Sequence, residues 1–309
     1  MGLIVTLTLN PAVDRNVQAD RLVFEDRAYI LSTNETAGGR GINASTVIHA
    51  FGGATKAIAC TGGKNGKRFE ELLAGVGFPT ALVKIRHSIR ANLTIVDKQG
   101  LAVKLNERGP HIQASELEKV ERTVAENLDG AKWLMLCGSV PPGVAPDFYA
   151  RIIRLAQKAN VKTLLDTDGD ALVSGMDAGP TAVAPNQAEA ERLLNRALIT
   201  QAHFKNAASR MVAMGAESVI LSLGSRGAVA ANKDTVLSAA APSIDAVCPI
   251  GAGDALAAAF VWALAEGKPF EEAVKWGVAA GTASAALPGI SFPTMAQTEK
   301  MFARVEFRA

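Results

Sequence analysis

The stretch with the clearest chemistry is GAGD at residues 251–254, which opens a long apolar run. Gly251 and Gly253 place no side chain over their amides, and bare N–H groups at the start of a helix bind anions. An aspartate at such a site, here Asp254, would repel the anion unless it takes a proton from a hydroxyl. The stretch therefore favours phosphoryl transfer to an alcohol, with the amides of residues 251–253, including that of Ala252, facing the phosphoryl group. The alternative is ordinary helix capping, since aspartate is common in the first turn of a helix.

Two other stretches carry side chains suited to a ligand with hydroxyl groups. Residues 36–45 read TAGGRGINAS, and the glycines precede a helix that begins near Asn43. Gly38 and Gly39 would let the backbone approach a ligand closely, while Asn43 bonds its hydroxyls. Asp14 follows the first strand, and strand ends are where ligands bind in open α/β sheets. The alternative for residues 36–45 is a tight turn with a buried asparagine.

The elements that must position these residues follow two patterns. After residue 110, apolar strands alternate with helices, which argues for a parallel sheet covered by helices on both faces. Before it, ALVKI, RANLTIVD and LAVKLN, between residues 81 and 106, alternate apolar and polar residues as antiparallel strands do. We expect these strands, with others from residues 12–36, to form a small antiparallel sheet. The sequence thus predicts one α/β domain over residues 1–309, with the small sheet formed by insertions at about 12–36 and 86–108.

Sequence patterns also predict one individual strand and two individual helices. LIVTLTL at residues 3–9 predicts a buried strand. Ser115 and Glu118 predict a capping box for a helix over residues 115–128. A long apolar helix is predicted to begin at Asp254.

Composition limits the classes of function. The 309 residues are 49% hydrophobic and carry a formal net charge of +2, with no long basic run. This balance disfavours partnership with nucleic acid or a membrane and favours a small-molecule substrate. The three cysteines form no C-x-x-C pair, and residues 1–15 show no signal-peptide pattern, so we expect a cytoplasmic protein.

The order and spacing of the motifs resemble the PfkB carbohydrate kinases, which have the ribokinase-like fold. The resemblance covers essentially the whole chain, and the sequence is most similar to the hexose-phosphate kinase branch of the family. The matching motifs, in chain order, are NPAVD (10–14), AGGRGIN (37–43), GGKNG (62–66), SIRAN (88–92), LNERGP (105–110), CGSVPPG (137–143), APNQAE (184–189), LSLGSRG (221–227) and GAGD (251–254).

This resemblance implies ATP-dependent phosphorylation of a phosphorylated ketohexose to the bisphosphate, with ATP and Mg²⁺ as cofactors. Asp254 would be the base, and Gly251, Ala252 and Gly253 would form the anion hole. The residues implied for the sugar phosphate are Asp14, Gly38, Gly39, Arg40, Asn43, Arg90, Ser139 and Arg27. Those implied for the nucleotide are Asn186, Ser222, Gly224, Gly227, Gly251, Gly253, Ala280 and Ser284. Glu189 and Asn186 would organise magnesium through water, and the small sheet would be a lid that also joins two subunits in a homodimer.

Cations in or beside the small-sheet segments agree with an anionic substrate. A sugar phosphate is a dianion, and arginine suits forked contacts to phosphate. Arg27, Arg40, Arg90 and Lys104 all fall in or beside these segments. Any one of them would ordinarily be a solvated surface charge, but Arg40 and Arg90 lie inside the matched motifs.

Three positions depart from the family pattern. Ala184 stands where relatives often carry lysine, Pro249 where a small hydroxyl residue is common, and Tyr29 where an arginine binds the sugar phosphate in the minor 6-phosphofructokinase. These departures leave two alternatives open. One is the same fold acting on an unphosphorylated sugar or nucleoside, and the other is a sugar-phosphate-binding regulator with weak catalysis.

Overall fold

The computed structural model describes residues 2–23 and 25–308. Its strands are β1 (Leu3–Thr8), β2 (Ala12–Ala19), β3 (Ile30–Gly38), β4 (Thr55–Thr61), β5 (Thr80–Lys84), β6 (Arg90–Asp97), β7 (Ala102–Asn106), β8 (Ala131–Cys137), β9 (Lys162–Asp166), β10 (Ala182–Val183), β11 (Ser218–Ser222), β12 (Ala228–Asn232), β13 (Val236–Ala240) and β14 (Glu306–Arg308). Its helices are α1 (Arg40–Ala50), α2 (Gly63–Leu73), α3 (Ala114–Glu126), α4 (Phe148–Lys158), α5 (Gly169–Met176), α6 (Gln187–Leu194), α7 (Gln201–Ala213), α8 (Ala252–Ala265), α9 (Phe270–Ala285) and α10 (Met295–Phe302).

A ten-stranded sheet organises most of these elements, in the order β14-β13-β12-β11-β10-β9-β8-β1-β4-β5. The strands from β5 to β11 in this order pair in parallel, and β12, β13 and β14 extend the sheet antiparallel. Helices cover both faces, because the parallel strands are apolar on both sides: Val5 and Leu7 pack into one buried cluster and Ile4 into another. The predicted α/β fold with a mostly parallel sheet is confirmed.

The helix pair α8 and α9 packs closely because its contact residues are small. A Cβ atom added to Gly277 would lie 3.0 Å from the carbonyl oxygen of Leu256, and one added to Gly281 would lie 3.0 Å from that of Ala252. Glycine at these positions therefore allows α9 to lie against the backbone of α8, including its first turn.

Two separate chain segments build the small sheet, whose strand order is β3-β2-β6-β7. The pairs β2–β3 and β6–β7 are antiparallel, and β2 pairs with β6 in parallel. The placement of ALVKI in this sheet is wrong. Its residues form β5, the edge strand of the large sheet beside β4, because an edge strand also has one exposed side and shows the same alternation.

Other sequence expectations need correction at element ends. Helix α3 begins at Ala114, and the Glu116 carboxylate accepts a hydrogen bond from the Gln113 N–H at 2.8 Å, so the capping pair is not Ser115 with Glu118. The sequence reasoning did not find α5, β12, β13 or β14. In the part of the chain that the structure describes, no helix has the length and apolar character needed to cross a membrane.

Candidate active site

A cavity of about 400 Å³ lies where the carboxyl ends of the parallel strands meet the small sheet. Thr8, Asp166 and Ser222 end β1, β9 and β11 and line its floor. The small sheet contributes Asp14, Asn92, Lys104 and other side chains to the opposite wall. This is the edge at which open α/β sheets bind ligands.

Asp254 lies in the first turn of α8 and faces this cavity. Its Oδ2 accepts a hydrogen bond of 2.6 Å from the Asn43 side-chain amide on α1. The pKa of Asp254 is raised to about 7, first by burial and then by the neighbouring Asp166 charge, against the lowering effects of Arg40 and of the Asn43 bond. A carboxylate with a pKa near the working pH is suited to accept a proton from a hydroxyl.

The backbone before Asp254 has a conformation that requires glycine. Gly251 is the N-cap of α8 with φ of 85°, and a Cβ atom on it would lie 3.0 Å from the Phe292 ring. A Cβ atom on Gly253 would meet nothing within 4 Å, so the space above this turn is open. Gly251 and Gly253 line the cavity beside the Asp254 carboxylate, and backbone amides at a helix start favour negative charge. The Ala252 N–H, which was predicted to face the phosphoryl group, instead donates to the Pro249 carbonyl at 3.2 Å.

The small sheet and α1 form a polar wall that suits hydroxyl groups. The Asp14 Oδ1 accepts a 2.7 Å hydrogen bond from Asn92, and burial raises the pKa of Asp14 while Asn92 lowers it. A Cβ atom on Gly38 would overlap the Asp14 carboxylate, which explains the glycine. A Cβ atom on Gly39 would meet the Thr8 methyl group at 2.7 Å.

Several hydrogen-bond acceptors in the cavity wall lack partners among the described residues. They are the buried Thr8 Oγ1, Asn10 Oδ1 and Asn92 Oδ1 atoms. Asn10 is fixed by its amide group, which donates to the Arg108 carbonyl at 3.0 Å and to the Ser139 hydroxyl at 3.3 Å. These oxygens are almost completely covered, with Thr8 Oγ1 beside Gly41 and Asn10 Oδ1 beside Gly109, so they leave unused hydrogen-bonding capacity in the cavity wall.

Arg40 lies between the two halves of the cavity. Its guanidinium donates to Asp166 Oδ1 at 2.7 Å and to Glu189 Oε1 at 3.1 Å, and the pKa of Arg40 is raised, chiefly by Asp166. Burial raises the pKa of both Asp166 and Glu189, and Arg40 opposes this rise. The arginine thus balances two acids at the wall of the cavity.

Arg90, at the start of β6, uses its guanidinium to hold the backbone. Its Nε and one terminal nitrogen donate to the Asn10 carbonyl at 3.2 and 3.0 Å, and the other donates to the Glu107 carbonyl at 3.1 Å. Burial lowers the pKa of Arg90, and the Asp14 charge opposes this effect. Arg90 lines the cavity, and these three bonds leave two of its five N–H donors unused.

The structure brings most of the predicted site residues together, but not all of them. Ser139, Asn186, Glu189 and Ser222 line the cavity, as does Ala184. The predicted residues that do not line it are Arg27, Gly38, Gly224, Gly227, Ala252, Ala280 and Ser284. Among these, Ala280 is buried and the Ser284 hydroxyl donates to the Ser291 carbonyl, while a Cβ atom on Gly227 would overlap the β13 backbone.

The sequence reasoning missed cavity residues on strands that it had located. Asn106 and Asp166 line the cavity, and Lys104 was considered only as a surface charge. Asp166 could have been found, because it is the acidic end of an apolar strand. Asn106 stands opposite Asn92 in the β6–β7 pairing, and Asn92 stands opposite Asp14 in the β2–β6 pairing. That row of three residues depends on strand register, which the sequence does not give.

Comparison with known proteins agrees with this fold. Residues 7–296 match the family described as pfkB family carbohydrate kinase. A 1-phosphofructokinase of Borreliella burgdorferi is 34% identical over 284 residues, which are 92% of each chain. The ATP-dependent 6-phosphofructokinase isozyme 2 of Escherichia coli is 32% identical over 306 residues, 98% of this chain and 99% of the relative.

A solved structure gives the same relationship in three dimensions. Phosphofructokinase-2 from Escherichia coli in complex with fructose-6-phosphate has a TM-score of 0.91 and 31% identity, with 98% of this chain and 99% of that chain covered. The large sheet, its helices and the small sheet together form the ribokinase-like α/β fold. The chain belongs to the pfkB family of carbohydrate kinases and is an ATP-dependent carbohydrate kinase.

Proposed function

We propose that this kinase transfers the γ-phosphoryl group of ATP to a hydroxyl of a phosphorylated ketohexose and forms a bisphosphate. The observation that carries the proposal is the position of Asp254. It combines a pKa of about 7 with a 2.6 Å bond from Asn43 at the amide-lined start of α8. A base and an anion site side by side are what phosphoryl transfer to an alcohol needs.

In the proposed reaction, the acceptor hydroxyl gives its proton to Asp254 as its oxygen bonds to the γ-phosphorus. The bond from that phosphorus to the bridging oxygen of ADP breaks in the same step. The amides of Gly251 and Gly253, which line the cavity, face the negative charge that develops on the phosphoryl oxygens. Asn43 holds the Asp254 carboxylate in the orientation that accepts the proton.

The acceptor is proposed from the polar wall and from the relatives. Asp14 and the unpaired oxygens of Asn10 and Asn92 suit the hydroxyls of a sugar. Arg90 stands at the edge of this wall and has N–H groups left to meet a phosphate already on the sugar. Phosphofructokinases are among the relatives, which supports fructose 6-phosphate, fructose 1-phosphate or the similar tagatose 6-phosphate.

The test is release of ADP from MgATP with a panel of acceptors. The panel contains those three phosphates together with free fructose, ribose and adenosine, and Asp129→Asn, an exposed carboxylate outside the site, is the control variant. We expect turnover of one phosphorylated ketohexose far above the other acceptors. Turnover of unphosphorylated acceptors alone would refute the proposal, and binding of sugar phosphate without turnover would favour the regulator.

A second candidate function is phosphorylation of an unphosphorylated sugar. The observation that favours it is the engagement of Arg90, whose guanidinium already donates to two backbone carbonyls. Replacement of Arg90 by lysine separates the two candidates, because lysine keeps the positive charge but lacks the planar guanidinium group that can donate two hydrogen bonds to one phosphate. Arg90→Lys should raise KM for a sugar phosphate and leave KM for free sugars unchanged.

Magnesium fits the site in an indirect role. Both Glu189 oxygens already accept hydrogen bonds, from Arg40 and from the Asn186 N–H, and Asn186 Oδ1 accepts from the Glu189 N–H. Within residues 2–23 and 25–308, no cluster of three or more acidic, histidine or cysteine side chains could hold a metal directly. Mg²⁺ keeps several waters and is often held mainly by phosphates, so Glu189 and Asn186 would bind its waters, and the ion would shield the phosphate charge.

We also propose that the small sheet serves as a lid and as a homodimer surface. Large apolar side chains on it and its loops are more than half exposed: Tyr29 64%, Ile30 67%, Leu101 55% and Leu105 55%. Exposed apolar patches of this kind mark interaction surfaces. Sedimentation should show a dimer that Leu105→Lys dissociates, and a monomeric parent protein would refute the proposal.

A further inference from the structure

Lys104 projects from the small sheet into the cavity. It lies on β7 opposite Thr94 of β6, two residues before Asn106. Side chains two apart on a strand share a face, and Lys104 and Asn106 both line the cavity. Leu105, between them, points to the other face of the sheet and is exposed.

The three cations that line the cavity among the described residues are engaged differently. Arg40 is paired with Asp166 and Glu189, and Arg90 is bound to backbone carbonyls. The Lys104 ammonium makes no ion pair within the part of the chain that the structure describes. Its three N–H donors are therefore available to a ligand.

The position of the Lys104 charge is shown by the acids that it affects. Lys104, Asp14 and Asp254 line the same cavity, and the Lys104 charge lowers the pKa of both carboxylates. In the proposed reaction the acceptor hydroxyl occupies this cavity, with the γ-phosphoryl group beside it. The α8 amides approach the phosphoryl group from one side, and the neutral Ala184 on the cavity floor supplies no charge.

We propose that Lys104 is a catalytic residue that contacts the transferring phosphoryl group from the small sheet and stabilises its charge in the transition state. This proposal rests on the proposed function of the site. Lys104 keeps its protons throughout: the only proton that moves goes from the acceptor hydroxyl to Asp254. The interaction with Lys104 strengthens in the transition state, where the charged phosphoryl group lies between the attacking oxygen and the leaving oxygen. Loss of Lys104 therefore lowers kcat more than it weakens substrate binding.

The first test is steady-state kinetics of Lys104→Met with the acceptor that the panel identifies. Lys98→Met is the matched control, because Lys98 is an exposed lysine in the turn between β6 and β7 and does not line the cavity. We expect kcat to fall about 100-fold, as on removal of one donor to a developing charge, and both KM values to stay within about threefold. Lys104→Arg should recover much of the loss, since it restores the charge.

The second test does not depend on turnover. Aluminium fluoride with MgADP mimics the phosphoryl group in transfer, and with the acceptor it should raise the melting temperature of the wild type above the value with MgADP alone. Lys104→Met should lose this additional increase and keep the MgADP effect. An unchanged additional increase, or an unchanged kcat, contradicts the proposal.

Two other outcomes identify different roles for Lys104. A rise confined to KM for the sugar phosphate would place the lysine at the acceptor's own phosphate. A deficit that disappears at pH values above about 8 would mean that it acts only by keeping Asp254 ionised. If the wild type phosphorylates nothing in the panel, the proposed function itself fails. If the wild type turns over an acceptor and Lys104→Met keeps the same kcat, only the role of Lys104 fails.

Discussion

Replacing Asp254 by asparagine should make the protein inactive and more stable at once. The carboxylate is held among other acids in a partly buried site, where its pKa is about 7 against an ordinary value of 3.8. At about 1.36 kcal/mol for each pH unit, this difference corresponds to about 4 kcal/mol of destabilisation by the ionised group. Solvent reaches part of the side chain, so we expect Asp254→Asn to add about 2 kcal/mol to the free energy of unfolding at about pH 8.

The sign of this effect fixes its pH dependence. A folded-state pKa above the unfolded value means that ionisation opposes folding, fully above about pH 7 and not at all below about pH 3.8. The stability gained by Asp254→Asn should therefore be largest near pH 8 and fall to less than half by about pH 5. Turnover should fall about 100- to 10,000-fold, the usual contribution of a general base.

Thermal unfolding at several pH values and steady-state kinetics measure both effects. A gain of about 2 kcal/mol raises the melting temperature by roughly 4 °C in a chain of this size. Asp129→Asn, which removes an exposed carboxylate, should change neither the melting temperature nor the turnover. A lower melting temperature for Asp254→Asn at pH 8, or turnover equal to the wild type, would show that the carboxylate is a helix cap and not a base.

Three further predictions use the same site. The acid limb of kcat/KM should have an apparent pKa near 7, so that a pH–rate profile shows a roughly tenfold fall from pH 8 to pH 6; a flat profile over this range excludes Asp254 as the base. Gly251→Ala should lower kcat at least about tenfold, because its φ of 85° costs about 1–2 kcal/mol for alanine and its Cβ meets Phe292; unchanged kinetics would mean that the turn is not needed. Arg40→Gln should lower the free energy of unfolding by about 2 kcal/mol near pH 8 in denaturant titrations, because Asp166 and Glu189 lose the cation that they share. This loss of stability should shrink as the pH falls, and equal stability of variant and wild type at pH 8 would contradict the ion-pair assignment.

The sequence was sufficient for the features that depend on local pattern. The apolar strands and helices after residue 110 predicted the parallel sheet, and GAGD with Asn43 predicted the centre of the cavity. It was insufficient where the answer depends on which strands become neighbours. The alternation in ALVKI suits either an edge strand or a small-sheet strand, and only the pairing with β4 distinguishes them.

The same limit applies to the side chains around the site. Arg40 was expected at the sugar phosphate, yet its guanidinium pairs with two acids that lie more than 120 positions away in the chain. Lys104 resembles any lysine on an alternating strand until β7 is placed beside β6. Ala280 and Ser284 lie inside a helix whose packing against α8, and not its sequence, decides which side faces a ligand.

The bond between Asn43 and Asp254 joins residues 211 positions apart. During synthesis, the chain therefore completes α1 and the first strands long before the base exists. A fragment that ends between residues 93 and 253 carries the cavity residues Asp14 and Asn92 without Asp254, the proposed proton acceptor. Such fragments, whether released early by the ribosome or produced by proteolysis, would be unable to consume ATP, so phosphotransfer becomes a property of the finished chain alone.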